Sequence, residues 1–410
     1  MKKINSYKKS TCRLCLSDEL IKAVSLPPTV IGDYYMTDSD QNPEKFPIDL
    51  YYCSQCSHIQ LIDVVDPKIL FHENFSYMPS KNEKLQNHFN EYANFIDRYA
   101  PKHIQNCVDV GSNDGLFLSV LKKKYGCNVL GVDPAKGPAE FANKQGIETW
   151  VCFFNEQISY KIIKKFGKVD FVSANNVFAH TDDLVSMANC ISQILSDDGV
   201  FSFEFSYLTD IVNKGLIGTV FHEHLSYHSL YSIIPFLRRA GLELVDVKRV
   251  NTQGGAAIGV AKKVKFSQRS SVIDELLEEE KKLGVDSLIA INRFRDRINK
   301  DRDKVKKIIH NIPKNEKIVA FGASRSANLL IEFFNFGKYF DYIVDDNKEK
   351  VNKFVPYYKI PIYPSSILKD RLPNYIVILA WIHTMKLTKI IKELSPDTKI
   401  ITLYPDVRII

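Results

Sequence analysis

VDVGSNDG at 108–115, followed by GVDPA at 131–135, decides the fold. An apolar strand runs into a glycine turn, and the stretch 116–125, LFLSVLKKKY, continues as a helix. Asp109, Gly111 and Gly115 are thereby carried into a strand-to-helix turn, where glycine lets the backbone approach a ligand closely. Asp114 projects from the same loop. About twenty residues on, Asp133 ends the next apolar strand, the place from which a carboxylate accepts hydrogen bonds from both ribose hydroxyls of an adenosine. A dinucleotide site shares that logic but reads GxGxxG. Here the run is GSNDG, with an acidic residue where a pyrophosphate would sit. A carboxylate there repels phosphate and suits S-adenosylmethionine, whose amino and sulfonium groups are positive.

Outward from this turn, strand and helix patterns alternate over 106–270: NCVDVG, the helix at 116–125, NVLGVD, a helix from 137, VDFVSANN, a helix over 183–195, then VFSFEF. Such alternation predicts an α/β domain with a mostly parallel sheet covered by helices. Asn175 and Asn176 end the strand VDFVSANN on the switch-point side, where they are expected to border cofactor and substrate. Upstream, 1–70 holds two cysteine pairs and short β-like runs, and 71–105 reads as a helical connector. Downstream, 271–314 is a charged helical linker whose acidic residues precede basic ones by four, which predicts a solvated connecting helix. A second, Rossmann-like α/β unit fills 315–410, with KIVAFGAS, FDYIVDD and YIVILAW as its strands.

The 410 residues are 45% apolar and 25% charged with a net charge of +7, which excludes a disordered or fibrous chain. The Lys-rich runs at 161–165, 261–265 and 304–307 read as solvated helix faces rather than a nucleic-acid groove. A modest positive excess also suits an anionic substrate such as a nucleotide sugar. The basic N-terminus, MKKINSYKKSTC, leads into no apolar segment, and no run approaches the ~20 apolar residues that span a bilayer. These features predict a cytoplasmic protein with no membrane partner, in which eight cysteines stay reduced.

Cys12 and Cys15 form CRLC, and Cys53 and Cys56 form CSQC. Two C-x2-C knuckles can present four thiolates to one tetrahedral zinc, and four thiolates leave no open position, so the metal is expected to stabilise rather than catalyse. The long gap between the pairs costs little, because loop-closure entropy grows slowly with length. Cys107, Cys127, Cys152 and Cys190 sit singly in apolar elements and read as core.

FHEHLSYH at 221–228 carries the densest chemistry. His222 and His224 lack the i, i+4 spacing of HExxH, so acid–base chemistry fits better than metal binding. In an extended segment the two histidines share one face and Glu223 takes the other. A histidine oriented by a carboxylate is a good proton acceptor near neutral pH. In the C-terminal unit, KIVAFGASRS presents Gly322 and Ser324 between strand and helix; backbone amides there, with Arg325 adding charge, suit a diphosphate. His383 follows the YIVILAW strand and is expected to face the same cleft.

VDVGSNDGLFLSVLKKKYGCNVLGVDPA, the N-terminal four-cysteine layout with its stretch YYCSQCSHIQL, and HEHLSY together resemble the sugar C-methyltransferases, enzymes that install branching methyl groups on nucleotide-linked deoxysugars. The resemblance runs over nearly the whole chain. It implies a class I methyltransferase Rossmann-like domain between an N-terminal zinc module and a C-terminal Rossmann-like domain that helps hold the nucleotide sugar. It also implies that Gly111, Asn113 and Asp114 contact the methionine portion of the cofactor and Asp133 the ribose. His224 corresponds to the family's base, with Glu223 beside it. Tyr77 in NFSYMPS and His180 in NNVFAH match residues near the reacting sugar. Phe221 and His222 are candidate substrate contacts, and Phe221 departs from the family, which usually has tyrosine there. The implied reaction is C-methylation at C3 beside a 4-keto group, through an enediolate. Two rivals remain at this level: an O- or N-methyltransferase, and a non-enzymatic zinc module that binds RNA or protein.

Overall fold

The structure, a computed structural model, describes residues 6–37, 42–71, 78–263 and 269–410. Its centre is a seven-stranded sheet whose order is Leu242–Val250, Ala256–Lys263, Leu195–Ser206, Val169–Asn175, Asn106–Val110, Asn128–Asp133 and Thr149–Val151. The last five strands are parallel, and Ala256–Lys263 runs antiparallel to both of its neighbours. The chain fills one side of Asn106–Val110 first and then crosses to Val169–Asn175. The crevice between the C-terminal ends of those two strands is therefore the switch point at which α/β sheets bind ligands.

The strands are almost continuously apolar because helices cover both faces. Phe117, Leu118 and Leu121 form the buried stripe of Leu116–Tyr125, which is bounded at both ends by left-handed glycines, Gly115 and Gly126. Lysines 122–124 fill its last turn, where positive charge meets the negative end of the helix dipole. The expected connector is more than a connector. Helix Glu83–Ile96 buries Tyr92, Phe95 and Ile96 against Phe117 and Phe171, and the Tyr92 hydroxyl meets Ser202 Oγ at 2.8 Å inside the sheet. Fully burying one such side chain contributes about 2 kcal/mol, enough to dock a helix of this length.

The charged segment also departs from its expectation. It forms two helices, Ser271–Leu283 and Leu288–His310, and the second buries Ala290, Ile291, Phe294, Ile298, Val305 and Ile309. These residues recur at three- and four-residue spacing, and their stripe packs between the N-terminal module and the C-terminal domain. The run of charges lies on the opposite face.

The N-terminal module is a four-stranded antiparallel sheet of Leu20–Val24, Leu50–Cys53, Ile59–Leu61 and Ser226–Tyr227. Its last strand comes from the middle of the chain, directly after HEH. The C-terminal domain has a second seven-stranded sheet, parallel through Ile360–Tyr363, Phe340–Val344, Ile318–Phe321, Tyr375–Ile378 and Lys399–Thr402, with short antiparallel edges. The YIVILAW strand ends at Ile378, and Trp381 opens a short helical turn. Among the described residues no helix is long and apolar enough to cross a membrane.

Candidate active site

A cleft of about 1370 Å³ opens at the switch point and runs between the central sheet and the C-terminal domain. That is larger than a typical single-ligand pocket, so it has room for a cofactor and a second substrate. Gly111, Asn113, Asp114, Asp133, Asn175 and Asn176 all line it. Gly111 has φ of 74°, and a Cβ there would lie 2.3 Å from Val177 Cγ2, so only glycine fits the turn. Gly115 closes the turn with φ of 76° but lies outside the lining. Asp133 accepts the backbone N–H groups of Asn113 (2.8 Å) and Ala135 (2.7 Å), which aims its carboxylate across the mouth of the turn. Asp114 accepts the N–H of Ser80, tying the start of helix Glu83–Ile96 to the loop.

The cleft suits a cation. Burial pushes Asp109 up to about 7, with Ser173 Oγ donating to it at 2.7 Å, and pushes Asp133 up to about 6. Carboxylates held in that state gain most from a positive ligand. Both polar atoms of the Asn175 side chain are buried without a partner among the described residues. A polar ligand or ordered water in the cleft would satisfy them. The residues present therefore fit S-adenosylmethionine.

The metal set fits as well. The sulfurs of Cys12, Cys15, Cys53 and Cys56 lie within 4.8 Å of one another, with the cross-pairs Cys12–Cys56 and Cys15–Cys53 at 3.5 Å. Tetrahedral Zn–S bonds of about 2.3 Å imply sulfur edges near 3.8 Å. Burial and the neighbouring thiolate push the Cys53 thiol up to about 11, a penalty that a dication at the centre removes. Cys107 and Cys127, expected to sit singly, instead lie with sulfurs 3.4 Å apart in the core.

The segment 221–225 is a turn rather than an extended strand, so its histidines do not share a face. His222 turns into the N-terminal module, with Nε2 3.3 Å from the Phe46 carbonyl, and does not line the cleft. His224 does line it. Its Nδ1 lies 2.6 Å from the Thr219 carbonyl, which can only accept; Nδ1 is therefore protonated and Nε2 carries the lone pair. Phe221 lies against the His224 ring at a centroid distance of 3.8 Å, and His180 at 5.0 Å. Burial, then His180, holds His224 well below the usual imidazole range, and burial takes His180 to about 4. Both rings are neutral at physiological pH.

Glu223 does not orient His224. Its carboxylate turns away to Arg325 at 3.3 Å, while its backbone carbonyl accepts His180 Nδ1–H at 2.7 Å. Burial pushes that carboxyl up, against the pull of Arg325. The C-terminal turn is also differently used. Arg325 and Ser324 line the cleft but Gly322 does not. Arg325 pairs with Asp33 and Glu223, and Asp345 accepts the Ala323 N–H at 2.7 Å, placing a carboxylate where a diphosphate was expected. The helix that follows spans seven residues, Ala327–Phe333. His383 lines the cleft as expected, and Tyr77 lies outside the described residues.

Sequence reasoning missed His88, Glu204 and Thr252. His88 Nε2 meets Glu204 Oε2 at 2.6 Å, and Thr252 donates to the other oxygen, all on the cleft wall. The available signal was Glu204 itself, the one charged residue in the stretch VFSFEF. Lys350, which pairs with Asp33 at 2.6 Å and lines the cleft from the C-terminal domain, gave no local signal.

Family models tile the chain: a putative zinc binding domain matches residues 12–71, a methyltransferase domain 83–247, and a C-methyltransferase C-terminal domain 251–405. C-methyltransferase NovU of Streptomyces niveus is 28% identical over 406 residues, covering 97% of this chain and 96% of that one. Over nearly its whole length the chain is similar to C-methyltransferases. Among solved structures, geranyl diphosphate C-methyltransferase from Streptomyces coelicolor overlays 44% of this chain and 80% of its own at 14% identity and a TM-score of 0.35. Magnesium protoporphyrin IX methyltransferase from Synechocystis overlays 43% and 83% at 17% identity and a TM-score of 0.34. The protein is thus an S-adenosylmethionine-dependent C-methyltransferase with a structural zinc site, and the non-enzymatic zinc module is set aside.

Proposed function

We propose that the enzyme methylates C3 of a nucleotide-linked 4-keto deoxysugar, with His224 as the base. One observation carries this reading: His224 is neutral, fixed as the Nδ1–H tautomer, and lines the same cleft as the cofactor loop. A 4-keto group acidifies the neighbouring C3–H. Nε2 of His224 takes that proton, and the electron pair passes into an enediolate whose charge rests on the keto oxygen. Arg325 contributes positive potential at this wall, where it acts on both His180 and His224. Gly111, Asn113 and Asp114 would hold the methionine portion of the cofactor, Asp133 its ribose, and Asn175 and Asn176 the boundary with the sugar. Bound S-adenosylmethionine supplies the electrophilic methyl that the carbanion accepts, and departs as the neutral thioether. His180, Phe221 and Ser324 would face the sugar. Glu223 would act through His180 and Arg325 rather than on substrate, and the direction of His222 argues against a substrate contact. Tyr77 is proposed from the resemblance alone. In this reading 1–70 is the zinc module, 71–105 its connector, 106–270 the catalytic domain, 271–314 the linker and 315–410 the sugar-nucleotide domain.

Deuterium at C3 of the keto sugar tests the chemistry. Its loss during turnover is expected, whereas an O- or N-methyltransferase would retain it. Two further outcomes separate the cofactor from the base. Asp133→Asn removes a charged acceptor worth about 1.5–3 kcal/mol per hydrogen bond, so the cofactor Kd should rise about ten- to a hundredfold by calorimetry. An unchanged Kd would remove Asp133 from the site.

The second outcome concerns pH. Asp133, raised to about 6 by burial, takes up a proton as pH falls through 6, and cofactor affinity should then drop up to about tenfold per unit. His224 lies well below 6.5 and stays neutral there, so kcat should hold across pH 6.5. A kcat that halves at 6.5 would point to an ordinary, exposed histidine as the base.

A further inference from the structure

Arg13 sits between two zinc ligands in CRLC, yet its side chain is 1% exposed and reaches away from the metal. Its Nη1 donates to the Leu61 carbonyl and approaches the Leu225 carbonyl at 3.5 Å. Leu225 follows His224 directly. The other edge of the guanidinium pairs with Asp182, at 3.0 Å from Nε and 2.9 Å from Nη2. Asp182 lies two residues after His180, and Tyr7 and Lys9 also donate to it. The two loops so joined are bonded to each other as well, Ser226 N–H to the Ala179 carbonyl at 3.1 Å. A buried guanidinium suits this joint because its planar fork spreads donors over three nitrogens, meeting a carboxylate on one edge and a carbonyl on the other at a spacing that a single ammonium nitrogen does not span.

We infer that Arg13 is a positioning residue for methyl transfer: it carries the geometry of the zinc knuckle into the two loops that hold His224 and His180. The inference rests on the reading of His224 as the base. Zinc, in this account, sets the placement of a proton acceptor it never touches. A shift of about 1 Å in such a group costs on the order of a hundredfold in rate, so a bridge of this kind leaves its mark on chemistry rather than on folding.

Arg13→Lys and Asp182→Asn cut the joint from opposite sides, and each is measured as the full-length zinc-loaded protein. Both should keep one zinc per chain and bind S-adenosylmethionine within about twofold of the parent, while kcat falls about ten- to a hundredfold. The isotope effect from deuterium at C3 should grow, because proton transfer becomes slower than the other steps. The double variant should lose little beyond either single one, as expected for two halves of one contact. Nitrogen-15 signals of the His224 ring should shift in both variants, a readout that needs no turnover. Unchanged kcat and unchanged His224 signals would overturn the inference. So would a rate loss that tracks lost zinc in both variants with an unaltered isotope effect, since that describes a purely structural residue. If the parent enzyme itself shows neither isotope effect nor loss of label, His224 as C3 base is wrong. The ring signals and the kcat at full zinc then still decide whether Arg13 places this loop.

Discussion

Replacing His224 with asparagine should lower kcat about 10²- to 10⁴-fold while leaving S-adenosylmethionine binding within about twofold of the parent. The asparagine amide can still donate to the Thr219 carbonyl, which His224 Nδ1 now faces at 2.6 Å, so the turn at 221–225 keeps its main tether. What the substitution removes is Nε2, the only proton acceptor the ring presents. Cofactor binding is spared because Gly111 and Asn113 lie in the turn after one central strand and Asp133 ends the neighbouring one, and their mutual contacts do not pass through His224. Steady-state kinetics, with calorimetry for the cofactor, separates these quantities. His224→Ala adds a cavity against Phe221 and His180, so its thermal midpoint must be read alongside its rate. Full turnover by the asparagine variant would remove His224 from the mechanism.

Loss of zinc should have a comparable effect by a different route. Structural zinc sites contribute on the order of 10 kcal/mol to the fold around them. Here that fold includes the strand Ser226–Tyr227, which pairs with Ile59–Gln60, next to the strand that carries Cys53. His58 Nε2 adds a contact to Ser226 Oγ at 3.2 Å. Removing the metal, or changing Cys53 to serine, should therefore release the loop that carries His224, the proposed base, and lower turnover about a hundredfold or more. The zinc module shares the core on one face of the central sheet, but the other face packs on Phe117, Leu118, Leu121 and Phe171 without it, so the cofactor should still bind. A chelator titration that follows zinc release, turnover and cofactor affinity together checks this. Undiminished turnover in zinc-free protein would mean that the module does not hold the loop.

The glycine turn at the switch point was legible because every signal for it is contiguous: strand, glycines, helix, and then Asp133 at the end of the next strand. The cysteine pairs were legible because knuckle spacing depends little on the rest of the fold. The histidine loop was only half legible. Residue types pointed to His224, but the sides taken by His222 and Glu223 depended on whether 221–225 was extended or turned. That choice is made by partners far away in the chain, Phe46 and Arg325. The pair His88–Glu204 joins positions 116 residues apart, and no local period could reveal it. Helix Leu288–His310 misled because its charges outnumber its apolar stripe, though the stripe decides where it packs. The C-terminal glycine turn misled for a similar reason. Its amides look available until Asp345, from the next strand end, is seen to accept one of them.

The central claim is that the methyl group goes to a carbon made nucleophilic by proton loss to His224. Its most direct test is the structure of the product made from a panel of 4-keto nucleotide sugars with S-adenosylmethionine carrying an isotopically labelled methyl. The account predicts NMR correlations that place the labelled methyl on C3, a carbon that has lost its hydrogen. A label found on oxygen or nitrogen, with the C3 hydrogen intact, would contradict it.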